Sequence, residues 1–128
     1  MKKPALTIVL ALLLAVTAAC RSAHQRAVAE AIARVGGDPE RGALLIQRYG
    51  CGGCHRIPGA TESGGKRAPS LEFIAVEPYI SGNLPNTPEN LMRWIQSPHS
   101  IRPQSRMPEL GVSPAEARDI TTYLYSLR

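Results

Sequence analysis

The stretch Cys51-Gly52-Gly53-Cys54-His55 constrains this chain more than any other. Two thiols three residues apart, followed at once by an imidazole, form the arrangement that covalent haem attachment requires. The thiols add across the two porphyrin vinyl groups, and the pinned His55 then has little choice but to meet the iron from one face. Glycines between the thiols let the backbone pass close to a flat macrocycle. The competing reading is a zinc or thiol-redox CxxC. Structural zinc takes four ligands, and the sequence holds only one further cysteine, Cys20, with neither a second CxxC nor an HxxxH. One haem c held by Cys51, Cys54 and His55 is the expected cofactor.

A chain of 128 residues is expected to form one domain plus appendages. Eleven glycines and eleven prolines predict short elements separated by long loops. With one Trp, one Phe and four Tyr, the polypeptide core is modest, and a haem at its centre supplies apolar bulk.

Residues 1–19 read as a secretory signal: Lys2 and Lys3 form the charged start, and residues 5–16 are an apolar run too short to span a membrane. Cleavage after Ala18-Ala19 leaves Cys20 first. That ending resembles a bacterial lipoprotein signal, in which Cys20 carries the lipid; ordinary cleavage with an incidental cysteine is the alternative. Export also favours haem over zinc at the pentapeptide, because an exported CxxC is more often oxidised or haem-bound. Without residues 1–19, thirteen Lys and Arg face ten Asp and Glu, a mildly basic balance that suits an acidic partner surface. No basic stripe interleaved with aromatics appears, so nucleic acid is not an expected partner.

Residues 20–37 are expected to be the anchor site and a tether, partly helical, with Val28, Ile32 and Val35 at roughly helical spacing. As flexible coil, seventeen residues would span about 20–25 Å. The domain begins at Asp38, where Asp as N-cap, Pro39 at the first helical position and Glu40 in the first turn open a helix to about Tyr49. Thr87-Pro88 opens a second helix through Trp94, ended by Pro98. Ser113-Pro114-Ala115-Glu116 is a capping box for the last helix, whose stripe Ile120, Tyr123, Leu124 and Leu127 faces inward. Residues 56–66 form a loop, residues 71–76 a short helical turn, and residues 103–108 an extended segment. No strand alternation is visible, so the fold class is all-α.

A six-coordinate haem needs a ligand opposite His55, and the candidates are His24, His99, Met92 and Met107. His24 is too near the anchor. Met92 lies inside a helix, where methionine is usually core packing. His99 reads as a solvated residue of a proline-rich loop. Met107 stands on a proline-stiffened segment 52 residues after His55 and is the expected distal ligand. A thioether favours ferrous iron, so a His/Met pair raises the reduction potential relative to two histidines. With both axial sites filled by protein, the iron only gains and loses an electron.

Residues 38–128, with an amino-terminal helix, CxxCH, a distal Met-Pro and a carboxy-terminal helix in that order, resemble a class I cytochrome c. The blocks SGNLPNTPENLMRWIQSP (residues 81–98) and RMPELGVSPAE (residues 106–116) are similar to the cytochrome c domain fused to subunit II of some haem–copper oxidases. The membrane helices and copper-binding cysteines of that subunit are absent, so the chain resembles its haem domain set free on a lipid anchor. The resemblance implies three or more short helices wrapped around one covalent haem. It implies that the carbonyl of Pro69 accepts the proximal imidazole N–H, with Ala68 standing where the family has glycine. It also implies that Trp94 packs near the haem with a propionate for its N–H, and that Gly42 and Tyr123 mark a close crossing of the first and last helices.

The expected function is a membrane-tethered, extracytoplasmic mono-haem carrier, periplasmic or on the outer face of the cytoplasmic membrane. It would take single electrons from a donor such as the quinol–cytochrome c oxidoreductase complex and pass them to a terminal oxidase or another haem protein. It is not expected to be an enzyme by itself. The alternative is a haem sensor or peroxidase-like protein with a displaceable sixth ligand.

Overall fold

The computed structural model describes residues 3–60 and 65–127, without the side chains of residues 3–7, 10, 11, 20, 24 and 27. The Cys20 thiol and the His24 ring, and residues 61–64 of the expected loop, therefore lie outside the described residues.

Among the described residues five helices run in order: α1 (Lys3–Val35), α2 (Pro39–Arg48), α3 (Pro88–Gln96), α4 (Pro98–Ile101) and α5 (Pro114–Ser126). Short 3-10 turns occupy Cys51–Gly53 and Ile74–Val76. The fold is all-α, as expected, and the helix starts follow local chemistry. Asp38 accepts from the Glu40 and Arg41 backbone N–H groups, Thr87 accepts from Asn90, and Ser113 and Glu116 cap each other reciprocally. Each cap satisfies donors that have no partner within the helix.

α5 is the axis of the core. It buries Ala117, Ile120, Leu124 and Tyr125 against Leu45 and Ile46 of α2 and Leu91 and Ile95 of α3. α2 crosses α5 at Gly42, where an added Cβ would sit 2.2 Å from the Asp119 carbonyl oxygen and 2.9 Å from Tyr123 Cβ. Only glycine permits that approach, so the close crossing implied for Gly42 and Tyr123 is present. One residue away, the buried Asp119 carboxylate accepts from Arg41 through two nitrogens and from the Asp38 backbone N–H at 2.9 Å. The Arg41 hydrogen bond holds Asp119 below the usual carboxylate range, more than offsetting its burial.

Three expectations need correction. The segment read as a tether is the end of one continuous helix whose last turns belong to the core: Ala31 is 3% exposed and Val35 packs beside it, while Ile32 is 40% exposed. Of the helically spaced residues 28, 32 and 35, Val35 packs against the core together with Ala31, whereas Ile32 does not. Arg34 lies over the Tyr125 ring, and Gly37 donates to Thr122 at 3.1 Å. Second, a small hairpin exists, β1 (Tyr79–Ile80) with β2 (Leu84–Pro85), pairing Tyr79 with Pro85 and Ile80 with Leu84. Its turn places Ser81 and Gly82 at positive φ, and two-residue strands are too short to show alternation. Third, Pro98 ends α3 but also starts α4, so His99 is helical rather than in a loop.

Among the described residues no helix is long and apolar enough to cross a membrane. Leu12, Leu13, Leu14 and Val16 of α1 are all exposed by half or more and add nothing to the core.

Candidate functional site

α2 stops at Tyr49, and Gly50, at φ 67°, turns the chain back in the left-handed region that favours glycine. The turn that follows is closed by Gly53 donating to Gly50 at 3.0 Å and by Cys54 and His55 donating to the Cys51 carbonyl at 3.3 and 3.0 Å. Cys51, Cys54 and His55 thereby share one turn of backbone. Both thiols are unpaired, Cys51 half-buried against the core and Cys54 exposed. Burial pushes the Cys51 thiol up, so it is protonated at neutral pH.

The imidazole of His55 is held from behind. Its Nδ1 donates to the Pro69 carbonyl at 2.8 Å. A carbonyl can only accept, so Nδ1 carries a hydrogen, and in the neutral ring Nε2 keeps the lone pair. Two backbone bonds fix the acceptor: Ala68 donates to Cys54 at 3.1 Å and Leu71 donates to Arg56 at 2.9 Å. Alanine at position 68 is thus accommodated with its N–H engaged. Gly65 brings the returning chain against the turn, since a Cβ there would lie 2.4 Å from the Cys54 carbonyl carbon. On the other side, Ile57 is fully buried, and the Tyr123 hydroxyl donates to the Pro58 carbonyl, tying the loop to α5.

Cys51, Cys54, His55 and Pro69 are thus brought together. Met107 shares no hydrogen bond with that cluster. It lies half-buried on the strap between α4 and α5, its N–H donating to Ser105 Oγ at 3.1 Å. Met92 is half-buried in α3 and packs against the core. Trp94 does the same, with no partner for its N–H among the described residues. His99 turns Nε2 to the Ser105 carbonyl at 3.0 Å and Nδ1 toward Glu109 at 3.6 Å.

Sequence reasoning missed three residues that shape this region. Gly65 looked like one glycine among several in a loop. Asp119 carries no sequence signal of its own, because its partners Arg41 and Asp38 lie about 80 residues away. Asn86 joins three elements: its Nδ2 donates to the Ile74 and Glu77 carbonyls at 2.6 and 2.8 Å, and its Oδ1 accepts from the Tyr125 hydroxyl at 2.8 Å. Asn86 merely precedes the Thr87-Pro88 helix start in sequence, and that local signal says nothing of long-range partners.

The donor set fits a covalently attached haem. Two unpaired thiols share a turn with an imidazole whose Nδ1 is anchored and whose Nε2 is free to ligate. Zinc is poorly served, because no group of three or more His, Cys, Asp or Glu side chains among the described residues forms a metal site.

Residues 39–128 match the family model described as Cytochrome c. The chain is also similar to a cytochrome c oxidase subunit 2 from Alkalihalophilus pseudofirmus, 29% identical over 89 residues. That match covers 69% of this chain and 25% of the relative, so the chain spans about a quarter of that protein's length. No solved structure matches significantly.

Proposed function

Because this chain belongs to the cytochrome c family, whose chemistry is haem-based electron transfer with protein redox partners, we propose that it is a mono-haem carrier. It is exported and held at the membrane by lipid on Cys20. It passes single electrons from a quinol–cytochrome c oxidoreductase complex to a terminal oxidase. The observation that carries the haem assignment is the hydrogen bond from His55 Nδ1 to Pro69 inside the CxxCH turn. The bound haem supplies a one-electron iron couple. Cys51 and Cys54 would carry the haem through thioethers, and His55 Nε2 and the Met107 thioether would ligate its iron. The Pro69 carbonyl orients the imidazole and raises its basicity. Trp94 would pack near the haem, with its N–H available to a propionate.

What supports the oxidase as acceptor is the similarity to an oxidase subunit. What supports the lipid anchor is the small-small-Cys ending of an apolar run whose described side chains add nothing to the core. The test is expression of the full chain alongside a haem c maturation system. A denaturing gel should show a haem-stained band that Cys51→Ser or Cys54→Ser weakens or abolishes. The iron should be low-spin and closed to carbon monoxide and cyanide. Haem stripped by acid–acetone sinks the assignment, and an open sixth site sinks the carrier in favour of a sensor or peroxidase-like protein. Cys20→Ser should move the protein to the soluble fraction with its spectrum unchanged, and a soluble wild type refutes the anchor.

A further inference from the structure

His99 is the residue whose role changes most between sequence and structure. It reads as a solvated histidine, and it is indeed exposed, yet both of its ring nitrogens face the strap that carries Met107. The strap between α4 and α5 has no regular structure and carries two prolines, Pro103 and Pro108. Met107 sits near its middle. His99 projects from α4, which is seated by the buried Pro98 and closed by Arg102 donating to the Pro98 carbonyl at 2.9 Å. From that base its ring addresses the strap on both sides of Met107. Nε2 donates to the Ser105 carbonyl at 3.0 Å, and Nδ1 lies 3.6 Å from the Glu109 carboxylate. Ser105 passes the constraint on: its N–H donates to Arg102 at 2.9 Å, and its hydroxyl accepts the Met107 N–H at 3.1 Å.

We propose that His99 is a positioning residue for the distal ligand, a clamp that holds residues 105–109 so that the Met107 thioether is placed before it binds. The clamp rests on the reading of Met107 as ligand. Thioether sulfur is a weak partner for ferric iron. Its occupancy there depends on how little order the strap must gain on binding, which is the general advantage of preorganisation. An external ligand competes with an intramolecular one whose effective concentration the strap sets.

The test is imidazole titration of the ferric haem-loaded full chain, followed by loss of the weak far-red absorption that marks iron–sulfur bonding. His99→Ala should raise the apparent imidazole affinity about tenfold, corresponding to about 1.4 kcal/mol, the upper end for one net hydrogen bond. His99→Gln, which keeps an N–H within reach of the Ser105 carbonyl, should return most of the way to wild type. A histidine that merely supports the fold would lower the thermal midpoint and leave imidazole affinity unchanged, and that result overturns the clamp. If His99→Ala does not fold, Glu109→Gln decides: about a twofold rise is expected, and no change overturns the proposal. A wild type without the sulfur band, or a Met107→Ala that keeps it, is a different failure. It removes the ligand reading itself, and the clamp with it.

Discussion

Gly42→Ala sets two physical rules against each other. In an isolated helix the substitution stabilises by about 0.5–1 kcal/mol, because glycine loses more backbone entropy on folding. At this crossing the added methyl would lie 2.2 Å from the Asp119 carbonyl oxygen and 2.7 Å from its carbon. These are backbone atoms of a buried helix turn and have no rotamer through which to yield. Relieving the contact requires α2 and α5 to part by roughly 1 Å, which also loosens the dispersion contacts of Ile46 with its core neighbours. The same movement stretches the Arg41 and Asp38 bonds to Asp119. Overpacking of this kind costs about 1–3 kcal/mol, leaving a net loss of about 1–2 kcal/mol after the propensity gain. For a domain of this size the thermal midpoint should fall by roughly 5–15 °C. The assay is thermal unfolding of the ferric haem-loaded protein, followed by far-ultraviolet circular dichroism. An unchanged or raised midpoint would mean that the helices part at little cost, and the close-crossing argument fails.

Three further outcomes follow from the same geometry. Met107→Ala should lose the far-red sulfur band and admit carbon monoxide, whereas Met92→Leu, a volume-conserving swap in α3, should change neither; the reverse pattern names the other methionine. Asp119 has a depressed folded pKa, so its contribution to stability is present in full above the ordinary aspartate value of about 4 and is lost as pH falls through the lower folded value. Melting midpoints of wild type and Asp119→Asn, taken between pH 7 and pH 2.5, should therefore converge on acidification, and parallel curves contradict the assignment. Asn86→Leu leaves the Ile74 and Glu77 carbonyls and the Tyr125 hydroxyl without their partner. It should cost about 2–4 kcal/mol, read as a lower denaturation midpoint, and a loss under about 0.5 kcal/mol would show that water replaces the side chain freely.

The parts of this fold that could be read from sequence are those written in short-range chemistry. Asp38-Pro39, Thr87-Pro88 and Ser113-Pro114 place three helix starts because a cap needs only the next three residues. The CxxCH turn is legible for the same reason, since its thiols and imidazole share one turn. Long-range contacts left weaker traces. Asp119 is buried because α2 brings Arg41 and the Asp38 N–H to it, which α5 alone does not reveal. Gly65 matters only because the chain returns onto Cys54. The Met107 strap was legible as an extended segment, yet its attachment to His99 was not, because α4 is a single turn whose start doubles as the end of α3. The helical spacing of Val28, Ile32 and Val35 did not say which side chain of α1 enters the core. Ile32 is the more apolar side chain, but the small Ala31 is what fits at the core.

The docked end of α1 also changes what an anchor at Cys20 would do. A coil of seventeen residues would behave as a leash, about 20–25 Å in reach and free in every direction. The fifteen residues from Arg21 to Val35 are helical, about 22 Å long at 1.5 Å per residue, and their last turns are fastened to α5 by Ala31, Arg34 and Val35. The reach is nearly the same, but the mechanics are those of a spar. Tilting the spar swings the whole domain, so the height and bearing of the CxxCH turn above a membrane would be set together. A carrier mounted in this way sweeps an arc and presents one side to its neighbours. Its encounters with a membrane-bound partner would then be governed by the angle of the mast more than by the length of a rope.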